Sequence, residues 1–108
     1  MARKTKIVIS WSPSAVNDLL EIHDYLRSEY SPDFAESSVV RIRAVGAGLA
    51  AHPRLWRERP EIVGQVRLAP VRRYFICYTV LSRGVEILRI IHNKRDIVGL
   101  FAAQENRL

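Results

Sequence analysis

The chain has 108 residues, 48% of them hydrophobic, which suits one domain over residues 1–108 and is too apolar for a disordered coil. It has no run of about 18 apolar residues, so no membrane span is expected. The apolar run 7–9 is too short for a secretory signal, and the single cysteine, Cys77, excludes an internal disulfide; both features favour a cytoplasmic protein. The net charge of +6 falls entirely in residues 54–108, which favours an acidic partner, either nucleic acid or protein.

The first half of the chain predicts a strand followed by two helices. Residues 6–10 are largely β-branched, as in a short strand. Ser12 and Pro13 then give a helix start, and apolar residues recur at helical spacing as far as Tyr30, with the acidic residues mostly off that face. A second helix follows Ser31-Pro32 and runs to about residue 51. The short turn between the helices predicts an antiparallel hairpin, and Gly46 and Gly48 would allow another element to approach closely.

The second half predicts three strands and a short last helix. Residues 54–64 indicate a loop, residues 65–68 a strand, and Ala69-Pro70-Val71 a break after it. Residues 73–80 are apolar on both faces, which is typical of a central strand, and a tight turn leads into the strand 85–92. Residues 96–104 have helical spacing. The predicted fold is α+β, with a two-helix antiparallel hairpin on a four-stranded, mainly antiparallel sheet, in the order β-α-α-β-β-β with a short C-terminal helix.

Four segments resemble one known group of proteins over about residues 7–100. They are WSPSA (11–15), DLLEIHDYL (18–26), VRLAPVRRYFICYTV (66–80) and VEILRIIHNKRD (85–96). Together they look like toxins of the ParE/RelE superfamily, and the last segment, a strand followed by H-x-x-R-D, is similar to the ParE-like branch. The resemblance implies the same β-α-α-β-β-β fold.

The resemblance also implies a function. The expected protein is the toxin of a type II toxin–antitoxin module of the plasmid-stabilisation kind, inhibiting DNA gyrase. It would be neutralised by a ParD-like antitoxin, through an acidic or amphipathic C-terminal segment of that antitoxin, in a hetero-oligomer. RelE-like relatives instead cleave messenger RNA in the ribosome. The RelE mechanism often uses lysines on the middle strands and a late tyrosine, but this chain has no lysine between Lys6 and Lys94 and no tyrosine after Tyr78.

The RelE-type alternative would need catalytic residues. The candidates for such a ribonuclease are Arg67, Arg89, His92 and Arg95, with His92 as general acid or base and the arginines stabilising phosphate charge. The reading that we favour gives His92 a structural role at the strand end and expects no catalytic residues. His23 and His52 are expected to be structural. No metal or cofactor is expected, because the three histidines are too scattered for a metal site.

Binding residues are predicted from charge and aromatic character. A basic patch for the antitoxin or the target would use several arginines that could converge on one edge of the sheet: Arg67, Arg72, Arg73, Arg89 and Arg95, with Lys94 beside them. The alternative is that these are ordinary solvated side chains. Trp56 is predicted to be an exposed anchor for a partner. Four further residues are expected in the core: Trp11, Tyr74, Phe75 and Tyr78. Cys77 is expected to be a buried apolar residue.

Overall fold

The computed structural model describes residues 7–62 and 64–105. Its elements are β1 (Val8–Trp11), α1 (Pro13–Glu29), α2 (Pro32–Gly48), β2 (Arg67–Val71), β3 (Tyr74–Leu81), β4 (Gly84–His92) and α3 (Ile97–Glu105). The strands lie in the order β1-β4-β3-β2, with β1 parallel to β4 and the other pairs antiparallel. The predicted α+β fold is therefore confirmed, and no helix of this described part is long and apolar enough to cross a membrane.

The helical hairpin begins and turns where the sequence predicts. Ser12 caps α1 by accepting a hydrogen bond from the Ala15 backbone N–H at 3.0 Å, and Ser31 caps α2 through the Phe34 N–H at 3.1 Å. Each serine satisfies a backbone donor that has no partner within the first helical turn. A proline follows each cap at the first helical position, where its missing N–H does no harm.

The strand β2 differs from its prediction. It spans Arg67–Val71 instead of residues 65–68, so Ala69-Pro70-Val71 does not break it. Pro70 lies opposite Phe75 and is exposed, on a strand at the edge of the sheet. An edge strand tolerates proline because only one of its sides must supply N–H donors to a neighbour. At the other edge of the sheet β1 is described from Val8, and the predicted first position, Lys6, lies outside the described residues.

The sheet has an apolar cluster on each face, as predicted for a strand like β3. The hairpin side includes Ala15, Ile42, Ile76, Tyr78, Ile87 and Ile90. The opposite side includes Ile62, Val66, Leu68, Cys77, Ile91 and Ile97. The neighbours β4 and β2 pair with both edges of β3, and the two clusters cover its two faces, so Tyr78 and Cys77 are fully buried. Trp11, Tyr74 and Phe75 are partly buried and pack against these clusters. The core predictions are therefore confirmed for Trp11, Tyr74, Phe75, Cys77 and Tyr78.

The hairpin approaches the sheet closely at Gly46. A Cβ atom added to Gly46 would lie 2.8 Å from Cζ2 of Trp11 and 3.1 Å from Cδ1 of Ile87. The prediction that a small residue here admits a neighbouring element is therefore confirmed for Gly46. It is wrong for Gly48, where nothing lies within 4 Å of an added Cβ. At its other end, towards the turn between the helices, the hairpin leaves open space above the sheet.

Candidate functional site

An open groove with a volume of about 860 Å³ separates the hairpin from the sheet near the turn between the helices. Its helical wall includes Ile22, Leu26, Phe34 and Ile42 from α1 and α2. Its sheet wall is formed by the end of β2, the β2–β3 turn and the end of β4, and Leu100 of α3 closes one side. This hairpin–sheet groove is large enough to hold several side chains of a peptide.

Four aromatic residues line the hairpin–sheet groove: Tyr25, Tyr30, Phe34 and Tyr74. The rings of Tyr30 and Phe34 pack at 5.1 Å between centroids, yet Tyr30 is 62% exposed and Tyr25 is 58% exposed. Burial raises the pKa of the Tyr74 hydroxyl, and the nearby phenols of Tyr25 and Tyr30 raise it further. Exposed aromatic side chains that converge on a concave surface are typical of an interface.

The opposite rim of the groove is basic. Arg72, Arg73, His92 and Arg95 line it, and among the described residues none of the four forms an ion pair with an acidic side chain. Arg72 has a φ of 56°, a left-handed conformation that is costly for a residue other than glycine. The His92 ring stacks edge-on against Tyr74 at 5.4 Å, and its Nδ1 accepts a hydrogen bond from the Lys94 backbone N–H at 3.1 Å. The rim therefore presents positive charge beside aromatic surface.

Arg89 lies at the base of the groove, where its side chain is held by Asp18. Its Nε and a terminal nitrogen donate to the two oxygens of the Asp18 carboxylate at 2.8 and 3.1 Å. The same carboxylate accepts the Ile90 backbone N–H at 2.9 Å and is buried. The hydrogen bonds that Arg89 donates to Asp18, together with the negative charge of that carboxylate, raise the pKa of Arg89, so its charge is permanent. Its first role is thus to neutralise a buried acid.

The Asp18 contact also holds an irregularity in β4. Residue pairing with β3 shifts between Cys77 and Tyr78, which leaves Leu88 without an opposite partner. The Leu88 carbonyl instead accepts a hydrogen bond from the Ser12 hydroxyl at 2.8 Å. Two polar residues of the hairpin, Ser12 and Asp18, therefore satisfy backbone groups around the bulge and fix β4 against α1.

Sequence reasoning missed Asp18. The acidic residues of α1 are predicted to lie mostly off its apolar face, but Asp18 lies three residues after Ala15 and four before Ile22, which is the spacing of that face. An acid at such a position needs a cation inside the fold, because a buried unpaired charge is strongly unfavourable. The helical spacing could thus have revealed Asp18, whereas its partner, 71 residues further on, could not be identified from local patterns.

Arg67 and Trp56 lie away from the hairpin–sheet groove. Arg67 begins β2, at the opposite end of that strand from the groove, and donates to the Trp56 carbonyl at 2.6 Å and to Glu58 at 3.2 Å. Trp56 is 36% exposed on the loop before β2, as predicted. The structure therefore brings together four of the predicted binding arginines, namely Arg72, Arg73, Arg89 and Arg95, and separates Arg67 and Trp56 from them.

The candidate ribonuclease residues are not assembled into one cluster. His92 and Arg95 share the groove, Arg89 is bound to Asp18, and Arg67 lies at the far end of β2. The other histidines do not join them: His23 is 3.7 Å from Glu36 across the hairpin, and His52 is exposed on the following loop. Within the described residues, no three acidic, histidine or cysteine side chains are grouped as metal ligands would be.

Comparison with known proteins places this fold in a defined class. The structure is similar to one described as "Chromosomal ParDE TA system from P. aeruginosa", with a TM-score of 0.73 and 23% identity over 82% of this chain and 98% of that chain. A search of the curated proteins finds no match. The family model for the ParE toxin of type II toxin-antitoxin system, parDE, matches residues 9–97. The chain therefore belongs to the ParE toxin family, as its sequence predicts.

Proposed function

We propose that this protein inhibits DNA gyrase by binding it, and that a cognate ParD-like antitoxin neutralises it by occupying the hairpin–sheet groove. The proposal rests on membership of the ParE toxin family and on the chemistry of the groove. Gyrase is proposed as the target because the resemblance to ParE-like toxins implies it. The antitoxin segment is proposed because the groove is open, with aromatic residues on one wall and basic residues on the other.

The antitoxin proposal rests on one observation, that the groove has exposed aromatic residues on one wall and cations on the other. The aromatic residues Tyr25, Tyr30 and Phe34 leave apolar surface exposed, so the occupant needs large apolar side chains. The cations Arg72, Arg73 and Arg95 have no acidic partner among the described residues, so the occupant also needs carboxylates. An amphipathic, acidic peptide segment meets both needs, and docking of such a segment in a groove is a common mode of recognition.

Binding is favoured over catalysis by the placement of the same residues. A ribonuclease must aim several charges at one scissile phosphate. Of the four candidates, Arg89 is held in a bidentate pair and Arg67 bonds the loop before β2, which leaves only His92 and Arg95 together. Only half of the residues that the RelE-type alternative needs therefore lie together, and we propose a toxin that is not an enzyme.

The test is a supercoiling assay with purified protein, DNA gyrase and relaxed plasmid, run beside an in vitro translation reaction. The proposal expects loss of supercoiling or trapped cleaved plasmid, with translation unchanged, and recovery of supercoiling when the antitoxin is added. Blocked translation with cleaved messenger RNA and normal gyrase activity would reject gyrase as the target. It would also make His92 and Arg95 candidates for catalysis.

A further inference from the structure

We propose that the loop of residues 52–62 is a second docking surface, separate from the groove, and that it binds an acidic protein surface on the toxin's target. The Leu55–Trp56 loop, as we call it, presents Leu55 and Trp56 side by side, 68% and 36% exposed. Leu55 is the most exposed large hydrophobic side chain among the described residues, and tryptophan and arginine are the residues most enriched at the energetic centres of interfaces.

The Leu55–Trp56 loop is firmly held although its tip is exposed. The Arg67 guanidinium bonds both Trp56 and Glu58, and the Tyr78 hydroxyl donates to the Pro53 carbonyl at 2.8 Å. The Arg59 backbone N–H donates to the Val66 carbonyl at 2.7 Å. Ile62, at the end of the loop, is buried in the cluster on the second face of the sheet. Leu55 and Trp56 are therefore presented in a fixed position, which lowers the ordering cost of binding.

The charges around the Leu55–Trp56 loop identify its partner. Both acids of the loop are paired with arginines, Glu58 with Arg67 of β2 at 3.2 Å and Glu61 with Arg59 of the loop at 2.8 Å. Arg54 and Arg57 are exposed and form no ion pair among the described residues, although the Arg57 guanidinium donates a hydrogen bond to the Glu58 carbonyl at 3.1 Å. Two such cations, on either side of an apolar pair, are complementary to a protein surface with carboxylates around an apolar pocket. A nucleic acid would require a longer series of cations than Arg54 and Arg57. Trp56 could stack on a base, but Leu55, the more exposed of the pair, could not.

The position of this loop separates it from the antitoxin proposed for the groove. The loop is tied to Arg67 at one end of β2, and the groove begins at Val71 at the other end, about 13 Å away at the rise of a strand. The two surfaces are formed by different residues, so each can be altered without changing the other. The assignment of the loop to the target rests on the proposed function, in which the groove receives the antitoxin.

The test compares three double variants of the full chain with the wild type. The first removes the apolar pair, Leu55→Ala with Trp56→Ala. The second is a matched control on the hairpin, Leu20→Ala with Val40→Ala, whose side chains are 61% and 55% exposed. The third alters the groove, Tyr30→Ala with Phe34→Ala. For each we would measure growth arrest on induction, inhibition of purified gyrase, affinity for the antitoxin encoded beside the toxin, and stability in urea.

We expect the loop variant to lose action on the target and the groove variant to lose antitoxin binding. The loop variant should lose growth arrest and need at least about tenfold more protein to inhibit gyrase, with antitoxin affinity and stability unchanged. The groove variant should lose antitoxin affinity, and the control should behave as wild type. If the loop variant loses growth arrest although wild-type protein leaves gyrase unaffected, the loop still contacts the target, and it is gyrase that is rejected.

Three results would overturn the proposal. The first is a loop variant that arrests growth as strongly as the wild type. The second is a loop variant that loses antitoxin affinity to the same extent as toxicity, because the two surfaces would then be one. The third is binding of the full-length wild-type protein to plasmid without gyrase at physiological salt, when Leu55→Ala with Trp56→Ala abolishes that binding. The partner of the loop would then be a nucleic acid.

Discussion

A single buried carboxylate joins the hairpin to the sheet. Asp18 accepts hydrogen bonds from Arg89 and from the Ile90 backbone, so one side chain of α1 satisfies both a charge and a backbone donor beside the bulge of β4. Removing one member of a buried pair leaves the other charge without a partner, and this is far more destabilising than losing an exposed ion pair.

We therefore expect Arg89→Ala to lower the free energy of unfolding by about 3 kcal/mol, because Asp18 would remain buried and unpaired. The matched control is Arg27→Ala, which removes a 4.0 Å contact with Asp24 between two exposed side chains on α1. That change should stay within about 0.5 kcal/mol of the wild type. Urea denaturation measures both values, and equal effects of the two variants would show that the Asp18 pair does not stabilise the fold.

Cys77 should be chemically inert in the folded protein. Burial raises the pKa of its thiol to about 12, so almost no thiolate exists at pH 8, and its side chain is fully buried in the sheet. We expect no reaction with a thiol reagent such as 5,5′-dithiobis(2-nitrobenzoate) under native conditions, and one reacting thiol in denaturant. Rapid labelling of the native protein would mean that the sheet opens locally around β3.

The β2–β3 turn places a charged residue in a strained backbone conformation. Arg72 is the only non-glycine residue with positive φ among those described, and it lines the basic rim of the groove. Glycine would adopt the same backbone conformation without steric cost. The presence of arginine at this position is explained if its charge is needed for binding.

We expect Arg72→Gly to raise the free energy of unfolding by about 0.5–1 kcal/mol while weakening antitoxin binding. Arg73→Gly should weaken binding as well, but it should lower stability by about 0.5–1 kcal/mol, since Arg73 has no positive φ to relieve. Urea denaturation together with calorimetric titration of the antitoxin would separate the two effects. Unchanged affinity in both variants would remove the turn from the binding surface.

Two glycines of α2, Gly46 and Gly48, differ in how closely they pack against the sheet. Replacing glycine by alanine in a helix normally stabilises it by about 1 kcal/mol. At Gly46 the added Cβ would collide with Trp11 and Ile87, so we expect Gly46→Ala to lower stability by about 1–3 kcal/mol. Gly48→Ala meets no neighbour and should stabilise the protein, as thermal and urea unfolding can measure. If both substitutions stabilised it, the close contact with Trp11 would be refuted.

At the scale of the whole molecule, local patterns predicted the elements better than the sites. The caps at Ser12 and Ser31 and the apolar strand β3 are local signals, and they gave the order of elements and the hairpin. Strand β2 was placed too early because proline was read as a break, although the edge position that tolerates it depends on the whole sheet. The assignment of residues 1–108 to one domain and of the protein to the cytoplasm stays a prediction.

The predicted binding residues illustrate the same limit. Arg67 and Arg72 are close in sequence, but they lie at opposite ends of an extended strand and serve different surfaces. The groove itself could not be predicted, because it joins the hairpin tip to the β2–β3 turn and to the end of β4, three segments that are distant in the chain. The basic excess of residues 54–108 indicates an acidic partner but not the surface that binds it.

The most direct test of the central claim is amide hydrogen exchange of the protein with and without its antitoxin. If the hairpin–sheet groove is the antitoxin site, the antitoxin should slow exchange at the hairpin turn around Tyr30, at Arg72–Tyr74 and around His92. Residues 54–57 should exchange at the same rate with and without the antitoxin. Protection confined to residues 54–57 or to the outer face of α2, with the groove unchanged, would contradict the account.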